Sequence, residues 1–130
     1  MNDFYYRNVD AYKLAKEFAN NIYRLLQKFP PEERFALVDQ MRRSAISVPA
    51  NIAEGLGRFS IKERIHFLDI AYGSLTEALC ETEIAHDNQY ITSEEFANID
   101  NLAIRVSMTI YGLKKSLEIK KQKQDIINQE

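Results

Sequence analysis

Apolar side chains recur at steps of three and four residues along four long stretches of this 130-residue chain, a spacing that only an amphipathic helix keeps on one side. Ala11, Leu14, Ala15, Phe18, Ile22, Leu25, Leu26 and Phe29 form the first stripe, and Leu37, Val38, Met41, Ala45, Val48 and Ile52 the second. Ile61, Ile65, Leu68, Ala71, Tyr72, Leu75, Leu79 and Ala85 form the third, and Phe96, Ile99, Leu102, Ala103, Val106, Ile110, Leu113 and Leu117 the fourth. Four glycines and three prolines are too few to turn the many short strands of a sandwich or barrel.

The breakers divide the stripes. Asn8 or Asp10 is a suitable N-cap for the first helix, and Phe29-Pro30-Pro31 stops it. The same prolines, with Glu32 and Glu33, suit the first turn of a second helix expected from about Pro31 to Leu56. Pro49 lies inside that helix and should bend it, at a cost of about 3 kcal/mol unless neighbours compensate. Gly55 and Gly57 provide the stop. Ser60 with Glu63, and Thr92 with Glu95, read as capping boxes for a third helix ending near Asp87 and a fourth ending near Lys120. Short loops between long helices imply an all-α fold, an antiparallel up-down-up-down four-helix bundle with its second helix bent near Pro49. A single domain is expected over residues 1–121, with a polar tail over 122–130.

Composition narrows the chemistry. A chain 45% hydrophobic and 28% charged is globular, and one cysteine, Cys80, can form neither an internal disulfide nor a thiolate zinc site. The longest apolar runs are a few residues, against the roughly 20 of a membrane span, and no charged-then-apolar leader precedes the first helix. A soluble, cytoplasmic protein is expected. His66 and His86 lie about 30 Å apart along one helix and cannot share a metal within a chain. Ser60 serves as a cap, Cys80 has no histidine near it in sequence, and Gly55-Leu56-Gly57 is too short to cradle a phosphate. Neither catalysis nor a cofactor nor a metal is expected.

Charge is uneven. Residues 67–104 hold eight carboxylates and no lysine or arginine, whereas the flanking segments are net basic within a total of −2. Any polyanion is confined to one face. The basic candidates for partner contact are Arg42, Arg43, Arg58, Lys62 and Arg64. On the second helix a narrow polar row, Gln40, Ser44, Ser47, Asn51 and Arg58, runs beside the apolar one. Serine and asparagine are poor interior helix formers, so the row serves either backbone groups loosened near Pro49 or a contact surface. On the third helix Gly73 with Ser74 suggests another backbone approaching closely, and Glu77 follows one turn later. Arg42 or Arg43 with Glu77 or Glu54 is the expected network, within the bundle or across protomers.

The run Gln40-Met41-Arg42-Arg43-Ser44-Ala45-Ile46-Ser47-Val48-Pro49-Ala50-Asn51-Ile52-Ala53-Glu54-Gly55 resembles the signature of the four-helix-bundle proteins of 23S ribosomal RNA intervening sequences. Phe29-Pro30, Glu33, Gly57-Arg58, Phe67-Leu68, Ile70-Ala71, Gly73-Ser74 and Glu77 agree with it, so the similarity spans nearly the whole chain. The resemblance implies a bacterial helical protein without known catalysis, often a homo-pentamer. That family is also similar to the accessory proteins of diversity-generating retroelements, which bind a reverse transcriptase and nucleic acid. Two functions follow as expectations: an oligomeric accessory protein contacting RNA or an RNA-associated partner, or a scaffold for a protein partner such as a reverse transcriptase, with no direct nucleic-acid contact. RNA binding, where present, is expected to be weak, salt-sensitive and poor in base stacking.

Overall fold

Phe18, Ile22, Met41, Val48, Ile52, Leu68 and Val106, drawn from all four stripes, meet in one core and are almost wholly withdrawn from solvent. The computed structural model describes residues 4–129, which form four helices: α1 (Asp10–Leu26), α2 (Leu37–Leu56), α3 (Ile61–Asp87) and α4 (Ser93–Gln129). Each helix packs on its two neighbours in a cycle, with α1 diagonal to α3 and α2 diagonal to α4. An antiparallel course is marked by side chains that join opposite ends: Lys28 beyond α1 pairs with Glu95 at the start of α4, and Lys114 Nζ lies 2.7 Å from Asp69 Oδ1. The result is the expected four-helix bundle.

Caps explain most boundaries. Ser60 Oγ accepts the Glu63 amide at 3.1 Å, and Thr92 and Glu95 satisfy each other's amides at 2.9 and 3.1 Å. Glu95 is held below the usual carboxylate range, chiefly by the Lys28 ammonium and then by the Thr92 amide. The turn after α3 closes with the Tyr90 amide on the Ala85 carbonyl and the Gln89 amide on that of His86, both 2.9 Å. This arrangement places Gln89 in the left-handed region, at φ 64°, where glycine is the usual occupant.

Four expectations are corrected. Asn8 does not cap α1; it belongs to a 3-10 turn, Tyr5–Asn8, and Asp10 instead places its charge at the positive end of the helix. The second helix does not start at Pro31, because Pro31–Glu33 forms a separate 3-10 turn and Ala36, at φ −120° and ψ −102°, interrupts the helical path before Leu37. As expected, Pro49 lies inside this helix, which runs on through it to Leu56. On α3 the buried side is Leu68, Ala71, Leu75, Ala78, Thr82 and Ala85, while Tyr72 turns outward. The fourth helix does not end near Lys120 but continues to Gln129, with residues 122–129 exposed.

Gly55 sets the spacing of α2 and α3. A Cβ there would lie 2.7 Å from the Phe67 Cβ, closer than two carbons can pack. Gly55→Ala is expected to destabilise the bundle by about 1–3 kcal/mol, the usual range for overpacking. Gln89→Gly should instead stabilise it, by about 1 kcal/mol or less, by relieving the left-handed residue. Urea denaturation of both variants checks the pair, and a neutral Gly55→Ala would show that α3 can retreat without loss.

Candidate interaction surfaces

The short side chains on α2 face α3. Ser44 Oγ lies 2.6 Å from Glu81 Oε1, Ser74 Oγ donates to Ser47 Oγ at 2.8 Å, and Asn51 Nδ2 reaches both the Ser47 hydroxyl and its carbonyl at 2.8 Å. With Gly55, these residues line one contact between two helices of the same chain. Ser44, Ser47 and Asn51 are therefore an internal zipper, whereas Gln40 remains exposed outside it. Gly73 does not accommodate a neighbouring backbone: nothing lies within 4 Å of where its Cβ would be.

The carboxylate that the bundle buries is Glu81, not Glu77. Glu81 is 6% exposed, and Glu77, one turn earlier, faces solvent. Burial pushes the Glu81 carboxyl above its ordinary value; the Ser44 hydroxyl opposes this and the Glu77 charge adds to it. The expected arginine partners lie elsewhere within the chain. Arg43 pairs with Asp39 at 3.0 Å, Arg42 lies over the Tyr23 ring with its guanidinium carbon 5.9 Å from the centroid, and Glu54 pairs with Arg58 at 2.8 Å. The interruption of the α3 stripe by adjacent Glu81 and Thr82 was the available sequence signal.

The five basic candidates do not form one patch. Arg42 and Arg58 are sixteen residues apart, about 24 Å at the rise of a helix, so Arg42 and Arg43 occupy the opposite end of α2 from the rest. Arg58 and Arg64 act as a clasp at the α2–α3 turn. The Arg58 guanidinium stacks 4.7 Å over the Phe67 ring, and its carbonyl accepts Arg64 Nε at 2.7 Å. Lys62 is exposed and pairs with no described carboxylate, and Phe59, three positions earlier, is wholly exposed.

A larger feature escaped the stripe analysis. Ile104, Met108 and Tyr111 recur at steps of four and three on α4, offset from the core stripe, and all three are exposed, Met108 and Tyr111 by 67%. Tyr72 of α3 stands beside them, forming an apolar shelf across α3 and α4 with the Asp69–Lys114 pair at its edge.

Among the described residues no group of three or more histidine, cysteine or acidic side chains could hold a metal ion, and no helix is long and apolar enough to cross a membrane. The arrangement defines an all-helical four-helix bundle with exposed apolar and charged faces. It belongs to the 23S rRNA-intervening sequence protein family, whose model matches residues 7–112. Against curated proteins the sequence has no match. The fold is similar to the crystal structure of a protein of unknown function from the S23 ribosomal protein family of Bacteroides thetaiotaomicron. The TM-score is 0.75 at 27% identity, over 81% of this chain and 98% of that one.

Glu81 generates a pH dependence of known sign. With its carboxyl raised in the folded state, its contribution to stability is complete below the unfolded carboxylate value and is lost as pH rises through the raised value. Glu81→Gln removes the buried charge and keeps an acceptor for Ser44, so it should stabilise the protein at neutral pH by about 1 kcal/mol and abolish that loss. Arg43→Ala and Glu77→Ala, both on exposed side chains, should each change stability by less than about 1 kcal/mol. Denaturant titrations at mildly acid and neutral pH measure both. A Glu81→Gln variant less stable at neutral pH would show the carboxylate to be favourably solvated.

Proposed function

We propose that this protein is a non-catalytic, cytoplasmic accessory protein that assembles as a homo-oligomer, a pentamer by family resemblance, and contacts RNA or an RNA-associated partner. The observation that carries the assembly is the shelf of Tyr72, Ile104, Met108 and Tyr111. Side chains of this size clustered in water mark an interaction surface, whereas scattered ones do not. In a cyclic ring two different faces meet, so the shelf packs against another side of the next copy. The RNA contact is supported by the family's description as 23S rRNA-intervening sequence proteins and by the segregation of charge. The second reading, a scaffold for a protein partner such as a reverse transcriptase, is favoured by α3, which carries six carboxylates against two cations and suits a basic protein surface.

Light scattering tests the assembly. The wild-type protein is expected at about five times the mass of one chain, and the double variant Met108→Glu, Tyr111→Glu at the mass of a single chain with its helix content intact. A wild-type mass of one chain across micromolar concentrations would overturn the assembly. RNA binding that persists at low salt and weakens as salt rises supports the first reading, and none at low salt leaves the scaffold.

A further inference from the structure

Beside its core stripe, α1 carries a second ordered set of side chains. Tyr12, Lys16, Asn20 and Tyr23 follow one another at steps of four, four and three, with Lys13 and Arg24 one position to the side. They line two adjoining concavities that share Tyr12, Lys16 and Asn20. The α2 wall of this groove is uncharged and partly apolar, with Ile46, Pro49 and Ala50. Arg42 stands at that side, its guanidinium carbon 5.9 Å from the centroid of Tyr23. The Tyr12 ring is fixed edge-on against Tyr6 at 4.8 Å between centroids.

The cations here are available. Lys13, Lys16, Arg24 and Arg42 form no ion pair with any described carboxylate, and Arg24 is oriented by a 3.0 Å bond to Asn21 Oδ1. Among the described residues Glu17 is the one carboxylate lining the groove. The acidic helix α3 lies diagonally across the bundle from α1, so its exposed charge falls on the far side.

We infer that this α1–α2 groove binds single-stranded RNA, with phosphates on Lys13, Lys16, Arg24 and Arg42 and bases against the rings of Tyr12 and Tyr23. This inference rests on the RNA contact proposed above, and supplies a site that the α2–α3 cations do not. Cations interleaved with half-buried aromatic rings suit a strand whose bases are free to stack. A duplex keeps its bases stacked internally, and the deep, narrow major groove of A-form RNA does not admit a bundle face. An acidic peptide would meet the cations but has no planar bases to offer the tyrosines.

Fluorescence anisotropy with a labelled oligouridylate tests the assignment, alongside the same strand annealed to oligoadenylate and, as competitor, polyglutamate. The single strand should bind more tightly than the duplex, with log Kd rising by about 2 to 3 per decade of salt for four phosphate contacts at about 0.7 each. Lys16→Glu with Arg24→Glu should weaken binding at least tenfold and lower that slope. Tyr12→Leu and Tyr23→Leu should each weaken it about fivefold or more at unchanged slope, since stacking contributes about 1–3 kcal/mol per base and carries no salt dependence of this kind. Thermal melts confirm that each variant folds. If the strand binds but only Arg58→Glu with Lys62→Glu abolishes it, the groove is the wrong site and the RNA reading stands. If nothing binds at low salt, both fall. Duplex binding as tight as the single strand, or displacement by polyglutamate at equal charge concentration, would overturn the inference in favour of a backbone-only or acidic-protein site.

Discussion

The close approach of α2 to α3 is the constraint on which the bundle depends. Gly55 admits the Phe67 side chain where any Cβ would collide, and Ser44 and Ser47 keep the rest of the interface narrow. Short polar side chains at such a contact would leave unsatisfied groups if they had no partners. Here each hydroxyl finds one across the interface, and no buried side-chain polar atom among the described residues lacks a bond. The cost is concentrated at Glu81, a carboxylate kept from solvent without a cation. Replacing the zipper with larger apolar residues would remove that cost but force the helices apart, and with them the Arg58 clasp over Phe67 that closes the turn.

Bundle geometry then decides what the surface can do. Because the helices pack in a cycle, α1 and α3 occupy diagonal corners. The carboxylates of α3 are thus projected away from the lysines and arginines of α1, and of the block only Glu94, Glu95 and Asp100 lie on α4, the helix that adjoins α1. A chain with a net charge of −2 acquires in this way one side able to meet a polyanion and another that repels it. Net charge alone argues against nucleic-acid contact, but neither side of the bundle feels the average.

The helices themselves were legible because their stripes are long and their caps are local. Ser60 with Glu63 and Thr92 with Glu95 act within one turn and need no tertiary information. What depended on neighbours was not legible. The gap in the α3 stripe at Glu81 and Thr82 marks a place in sequence, but the hydroxyl that meets a carboxylate there is Ser44, on another helix. Arg42 and Arg43 look like a functional pair in sequence, yet adjacent positions on a helix point in different directions, one to Tyr23 and the other to Asp39. The groove on α1 was overlooked for a related reason. Its tyrosines and lysines alternate with core residues, and its α2 wall comes from a segment dominated by a signature that draws attention to itself.

The two surfaces lie on different pairs of helices, the shelf on α3 and α4 and the groove lined by α1 and α2. Packing of one shelf therefore need not cover the same protomer's groove, and a ring would repeat the groove once per copy. A site with four cations would hold a strand only weakly at physiological salt, because the entropy gained on releasing condensed counterions falls as bulk salt rises. Repetition changes the arithmetic. A strand long enough to leave one groove and enter the next binds the second at an effective concentration set by the intervening nucleotides, and overall avidity rises by orders of magnitude with no new contact. In the proposed assembly, RNA binding would then be coupled to the ring through geometry: loosening the shelf would weaken the hold on long strands while leaving that on short ones unchanged.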